Sequence, residues 1–192
     1  IEEIIRVYGY DNIRSTLLAS ATVTAPMENQ HQNALQTIQT TLSGIGYNQC
    51  ITYSFCGKLL NNKFAVNSDA NMNDNVKILN PLGEEYAYLR NSIAPSLLEV
   101  AATNQSRKNS DLRLFEVSKV FLPTENDAAP IEEYKLCMIN TADDFYALKS
   151  DMQQVFKKFG VEANFVRGKE EFLHTGISAD IIVGDECIGY WG

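Results

Sequence analysis

Four charged side chains stand where their type and spacing could do chemistry. Glu2 and Glu3 are adjacent at the start of I-E-E-I-I-R-V-Y, Ile1 to Tyr8. Carboxylate oxygens suit Mg2+, which keeps several waters and needs few protein ligands. Acidic residues in a first helical turn also serve the helix dipole without any metal. Arg90 closes a strand-like run and precedes Asn91-Ser92. An arginine there can grip a carboxylate or phosphate through two parallel hydrogen bonds. It can equally pair with Glu84, Glu85 or Glu99 as structural glue. Glu116 lies mid-strand on an apolar face, and a buried carboxylate needs a partner. Arg113 and Lys119 fall on the opposite face, so the partner must come from elsewhere, and Arg90 is the first candidate.

Other chemistries find no support in the spacing. His31 and His174 are the two histidines, one near the start of an amphipathic helix and one in a turn before a strand. No serine or cysteine stands with them in a nucleophilic set. The cysteines, Cys50, Cys56, Cys137 and Cys187, form no C-x-x-C pair and no zinc spacing. They read as reduced, partly buried thiols of a cytoplasmic protein. No phosphate-binding glycine loop is present. A net charge of −8 without a basic cluster argues against direct nucleic-acid binding by this segment. There is no signal peptide and no apolar run of membrane length.

The elements that must position these residues follow from periodicity. Apolar residues at 1, 4, 5 and 8 make one helical stripe, stopped at Gly9. Residues 13 to 25 read as an extended connector. Glu28 to Ser43 predicts a helix with an uncharged Gln/Asn/Thr outer face. Tyr47 to Phe55 alternates like a strand, with Ile51, Tyr53 and Phe55 on one face. Gly57 to Phe64 reads as a short helix or turn, and Asn67 to Asn75 as a polar loop. Val76 to Leu79 and Tyr86 to Arg90 read as short strands. Ser92 is placed as the N-cap of a helix that tolerates Pro95 in its first turn and buries Ile93, Leu97, Leu98 and Ala101.

Asp111 to Leu122 predicts a long strand with Leu112, Leu114, Glu116, Ser118 and Val120 on one face. A strand at 134 to 140 and a helix at 143 to 159 follow. Further strands fall at 161 to 166, 177 to 183 and 187 to 191, the last two joined by a Gly184-Asp185 turn. This order predicts an α+β fold with a largely antiparallel sheet flanked by helices. The chain opens in mid-helix pattern without Met and closes on Tyr190-Trp191-Gly192, which suggests a piece of a larger protein.

Four ordered segments resemble landmarks of the bacterial phenylalanyl-tRNA synthetase beta subunit. They are Ile1 to Ile13, I-L-N-P-L-G-E-E-Y-A-Y-L-R-N-S-I-A-P-S-L-L-E (Ile78 to Glu99), L-R-L-F-E-V-S-K-V-F (Leu112 to Phe121) and L-H-T-G-I-S-A-D-I (Leu173 to Ile181). The resemblance implies residues 1–20 as the tail of a preceding helical domain with its connector. It implies residues 21–192 as a catalytic-core-like module with the class II synthetase fold. The active site would lie in the alpha subunit of an (αβ)2 enzyme that uses ATP to join phenylalanine to tRNA(Phe). Glu2 and Glu3 match the two glutamates of the family's D-L-I-E-E segment, which implies a Mg2+ site shared with the alpha subunit and incomplete in this chain.

The chain also departs from that pattern. An active class II core runs the long strand on to an arginine that holds ATP, where this chain has Leu122 and Pro123. No glycine-rich, arginine-bearing third motif is visible. The family's H-P-G-R-S-A turn is H-T-G-I-S-A here, His174 to Ala179. The expectation is a module with no catalytic residue of its own. The alternative is a stand-alone amino acid or nucleotide binding domain with Arg90 and Glu116 in its pocket.

Overall fold

The computed structural model describes residues 1–17, 29–58, 75–124, 129–142, 145–170, 172–174 and 176–192. The predicted turn at 57 to 64 and loop at 67 to 75 lie almost wholly outside them. The chain forms two compact units, Ile1–Gln30 and His31–Gly192.

In the first unit, helix α1 spans Glu2–Tyr8 and a 3-10 turn spans Tyr10–Asn12. Gly9 ends the helix at φ +99°, a conformation that side-chain-bearing residues rarely adopt. None of the α1 residues is buried.

In the second unit, α2 spans Gln30–Gly44, its first residue belonging to the preceding unit. β1 (Asn48–Gln49) and β2 (Phe55–Cys56) follow. The predicted continuous strand from Tyr47 to Phe55 is therefore broken. β1 pairs in parallel with β4 (Arg113–Leu122), whereas β2 pairs antiparallel with β3 (Tyr88–Leu89). The Ser54 carbonyl between them accepts the Arg90 N–H at 2.9 Å. Val76 to Leu79 is reduced to a bridge from Lys77 to Tyr88.

Helix α3 spans Ala94–Ser106. Ser92 Oγ accepts the Ala94 N–H at 3.3 Å, but the N-cap position itself is Ile93. Leu98, expected inside, is 41% exposed, while Ile93, Leu97 and Ala101 are buried. β5 (Ile131–Asn140) runs antiparallel to β4 along the whole length of both. Helix α4 spans Phe145–Lys158, and β6 (Asn164–Arg167), β7 (Ala179–Val183) and β8 (Glu186–Trp191) make an antiparallel sheet. The predicted hairpin at Gly184 is present, with Gly184 at φ +61°.

β4 is the axis of the core. On one face Leu114 and Val120, with Leu112 just before the strand, pack against Ile93, Leu97 and Ala101. On the other, Phe115 packs against Leu42, Tyr47 and Val155. Alternation thus sends successive β4 side chains into two different clusters. A third cluster joins Met152 of α4 to Ala179, Ile181 and Trp191.

Candidate functional site

Arg90 follows β3, and its backbone is pinned on both sides. Its N–H donates to Ser54 O and its carbonyl accepts from Phe121 N–H, each at 2.9 Å. This directs the side chain across β4. Nε donates to Lys119 O at 3.0 Å. Nη1 donates to Glu116 Oε1 and to Thr52 Oγ1, both at 2.9 Å. Nη2 donates to Ser118 Oγ at 2.6 Å.

Glu116 closes the set. Its Oε1 also accepts from Ser118 Oγ at 2.8 Å, and its Oε2 accepts from Thr52 Oγ1 at 2.7 Å. Each hydroxyl accepts from the guanidinium and donates to the carboxylate. The Arg90 and Glu116 side chains are 3% and 2% exposed. A buried ion pair is tolerated when further hydrogen bonds satisfy both groups, as these do.

The predicted Arg90–Glu116 pairing is therefore present, and the acceptors that Arg90 reaches do not include Glu84, Glu85 or Glu99. Sequence reasoning missed Thr52 and Ser118. Their signal was available: both are small hydroxyl residues at inward positions of alternating segments. All three guanidinium nitrogens are engaged inside the protein. An open groove of about 1460 Å³ nearby is lined by Ile51, Tyr53, Phe55, Tyr86 and Glu99, among others, but by neither Arg90 nor Glu116.

The thiols near this Arg90–Glu116–Thr52–Ser118 lock are held neutral. Burial pushes Cys56 up to about 11, against the pull of the Arg90 charge. Burial also raises Cys50, helped by the Glu116 carboxylate. All four cysteines are free.

Glu2 and Glu3 lie in the first turn of α1. Glu3 Oε2 accepts from Arg6 Nε at 3.0 Å and from Arg6 Nη2 at 2.9 Å. Among the described residues, no three His, Cys, Asp or Glu side chains gather into a metal-holding group. The two glutamates fit a hard cation as part of a ligand set, since their oxygens are the right donors, but they do not make a full set. His174 Nδ1 accepts the Gly176 N–H at 3.1 Å, the role of a loop hydrogen-bonder. His31 packs edge-on to Tyr134, with ring centroids 4.6 Å apart. Leu122 ends β4 opposite Ile131. No helix among the described residues is long and apolar enough to cross a membrane.

The chain shares its fold with solved structures. Two solved structures of pyrrolysyl-tRNA synthetase from Desulfitobacterium hafniense match with TM-scores of 0.59 and 0.60 and identities of 16% and 17%. They cover 81% of this chain and 54% and 56% of theirs, and the likeness is one of fold.

Sequence comparison then narrows the family. The model described as the phenylalanyl tRNA synthetase beta chain CLM domain matches residues 13–192. Phenylalanine--tRNA ligase beta subunits from Staphylococcus haemolyticus and Listeria innocua are 34% and 35% identical over the whole chain. The chain belongs to the phenylalanine–tRNA ligase beta-subunit family. It spans about a quarter of the length of these relatives, 25% in each case.

Proposed function

We propose that this chain is the class II-like core module of a phenylalanine–tRNA ligase beta subunit, a module that keeps the fold without the chemistry. Residues 1–20 are the end of a preceding helical domain and its connector, and 21–192 are the core. The module pairs with the catalytic alpha subunit. The whole (αβ)2 enzyme, in the cytoplasm, uses ATP to join phenylalanine to tRNA(Phe).

The observation that carries this reading is Leu122. It stands at the end of the long strand, where an active core has an arginine, and a neutral side chain cannot stabilise phosphate charge. Arg90, whose type suits a carboxylate or phosphate, is spent on Glu116 inside the protein. That also weighs against the stand-alone binding domain. Glu2 and Glu3 contribute carboxylate oxygens to a Mg2+ site completed by other residues and shared with the alpha subunit. Such an ion offsets carboxylate repulsion and ties the two chains together.

ATP–pyrophosphate exchange tests the reading. The fragment alone should give no phenylalanine-dependent exchange, and the complete beta subunit with its alpha subunit should give it in full. Robust exchange by the fragment would sink the proposal.

A further inference from the structure

Three charged side chains are buried among the described residues: Arg90, Glu116 and Asp180. Arg90 and Glu116 match each other. Asp180 has no such counter-charge. It is 7% exposed, and the hydrogen bond it receives is the Lys169 N–H on Oδ1, at a long 3.4 Å. Oδ2 receives none, and no Lys, Arg or His among the described residues pairs with it. A carboxylate taken out of water without a cation is costly. A native fold that keeps one calls for a reason.

The surroundings of Asp180 are set by the pairing of β7 with β8. Alternation on β7 sends Ala179 and Ile181 into the cluster of Met152 and Trp191, and Asp180 to the other face of the sheet. Opposite Asp180 stands Tyr190 of β8. The Tyr190 hydroxyl is hydrogen-bonded to the Ser92 side chain, just before α3. Phe172 packs edge-on against the Tyr190 ring, with centroids 5.3 Å apart. Glu170 lies beside both: burial first, and the Asp180 charge next, hold its carboxyl above the usual range, and its own charge acts on the Tyr190 phenol. Two carboxylates, a fixed phenol and a second ring thus lie together.

These groups suit an organic ammonium ion. Its charge matches Asp180, its N–H donors fill open carboxylate and phenol oxygens, and aromatic rings favour such a cation. They suit a hard metal poorly, because it asks for more oxygen ligands, and among the described residues no three such side chains gather. We propose that Asp180, Glu170 and Tyr190 form a binding site for a small organic ammonium ion, the protonated amine of a metabolite-sized ligand. Asp180 supplies the counter-charge, Glu170 a more exposed second acceptor, and Tyr190, held by Ser92, an oxygen and a ring. At Glu116 the cation comes from the chain itself; at Asp180 it comes from outside. The proposal does not depend on which subunit carries out the ligase chemistry.

Titration calorimetry of the complete beta subunit tests this, with n-butylammonium chloride as the probe and n-butanol and sodium chloride as controls. The wild type should bind the ammonium saturably and neither control. Asp180→Asn keeps the shape and removes the charge. It should weaken binding by about tenfold or more, the scale of a hydrogen bond to a charged group. It should not lower the melting temperature, because the charge it removes has no partner. Glu170→Gln, at a more exposed position, should weaken binding by a smaller factor, and it carries the test if Asp180→Asn fails to fold. Absence of saturable binding by the wild type overturns the proposal, and so does binding at wild-type strength in both variants. Binding of Mg2+ in place of the ammonium, abolished by Asp180→Asn, overturns the assignment of an ammonium ligand.

Discussion

Glu3–Arg6 and Glu116–Arg90 are the same pair of side chains at the same 2.9 Å separation. In α1 the partners sit three residues apart, with the Glu3 and Arg6 side chains 80% and 65% exposed. Across β4 they are 26 residues apart and all but dry. Water screens the first pair, so its contact is worth little. The second has lost its hydration, so every lone pair and proton must be met by the protein, and Thr52, Ser118 and the Lys119 carbonyl meet them. Distance alone does not rank two ion pairs. What surrounds them does, and the surroundings also decide which pair stays open to an outside ligand.

The largest test of that contrast is Glu116→Ala. It leaves the Arg90 charge buried without its counter-charge, and chemical denaturation should show a loss of about 3–5 kcal/mol. A result near zero would mean that water reaches the pair and that the contrast is false.

Replacing both partners, Arg90→Met with Glu116→Leu, sharpens the point. The double variant should be more stable than Glu116→Ala, because no orphaned charge remains.

An intermediate effect belongs to Tyr47, a buried phenol that donates to Asp151 at 2.8 Å. Burial first, and the Asp151 bond next, hold its ionisation well above the ordinary value. The folded state therefore favours the neutral phenol, and that stability is lost as pH climbs past about 10. Tyr47→Phe should cost about 1 kcal/mol at neutral pH. It should also flatten part of the alkaline limb of a stability–pH curve, and an unchanged limb would show that Tyr47 does not titrate there.

The smallest effect is Glu3→Gln, expected at under about 0.5 kcal/mol in thermal unfolding and fading further with salt. A larger loss that depended on Mg2+ would show the glutamate serving a cation rather than the helix.

Much of this was legible in the chain. The helices at 2–8, 30–44, 94–106 and 145–158 and the strand at 113–122 follow from the spacing of apolar residues, because a face that must leave water writes its period into the sequence. The Glu116 need for a partner followed from its apolar neighbours, whereas Arg90 was a first candidate that only the fold brings to it. The strand from 47 to 55 was misread as continuous because alternation is a property of side chains, whereas pairing is a property of the backbone. At Ser54 a distant arginine took a backbone acceptor. Leu98 was misplaced because helical period marks a face but not how far the covering strand reaches.

The sequence by itself determined the periodic elements, the family landmarks and the leucine at the end of β4. Those are carried by residue types and short spacings. Only the tertiary structure decided that Arg90, Glu116, Thr52 and Ser118 close on one another, and that Ile51 and Tyr53 are left outside. Burial and charge pairing between segments far apart in the chain depend on where β1, β3 and β4 come to lie, and no local period encodes that.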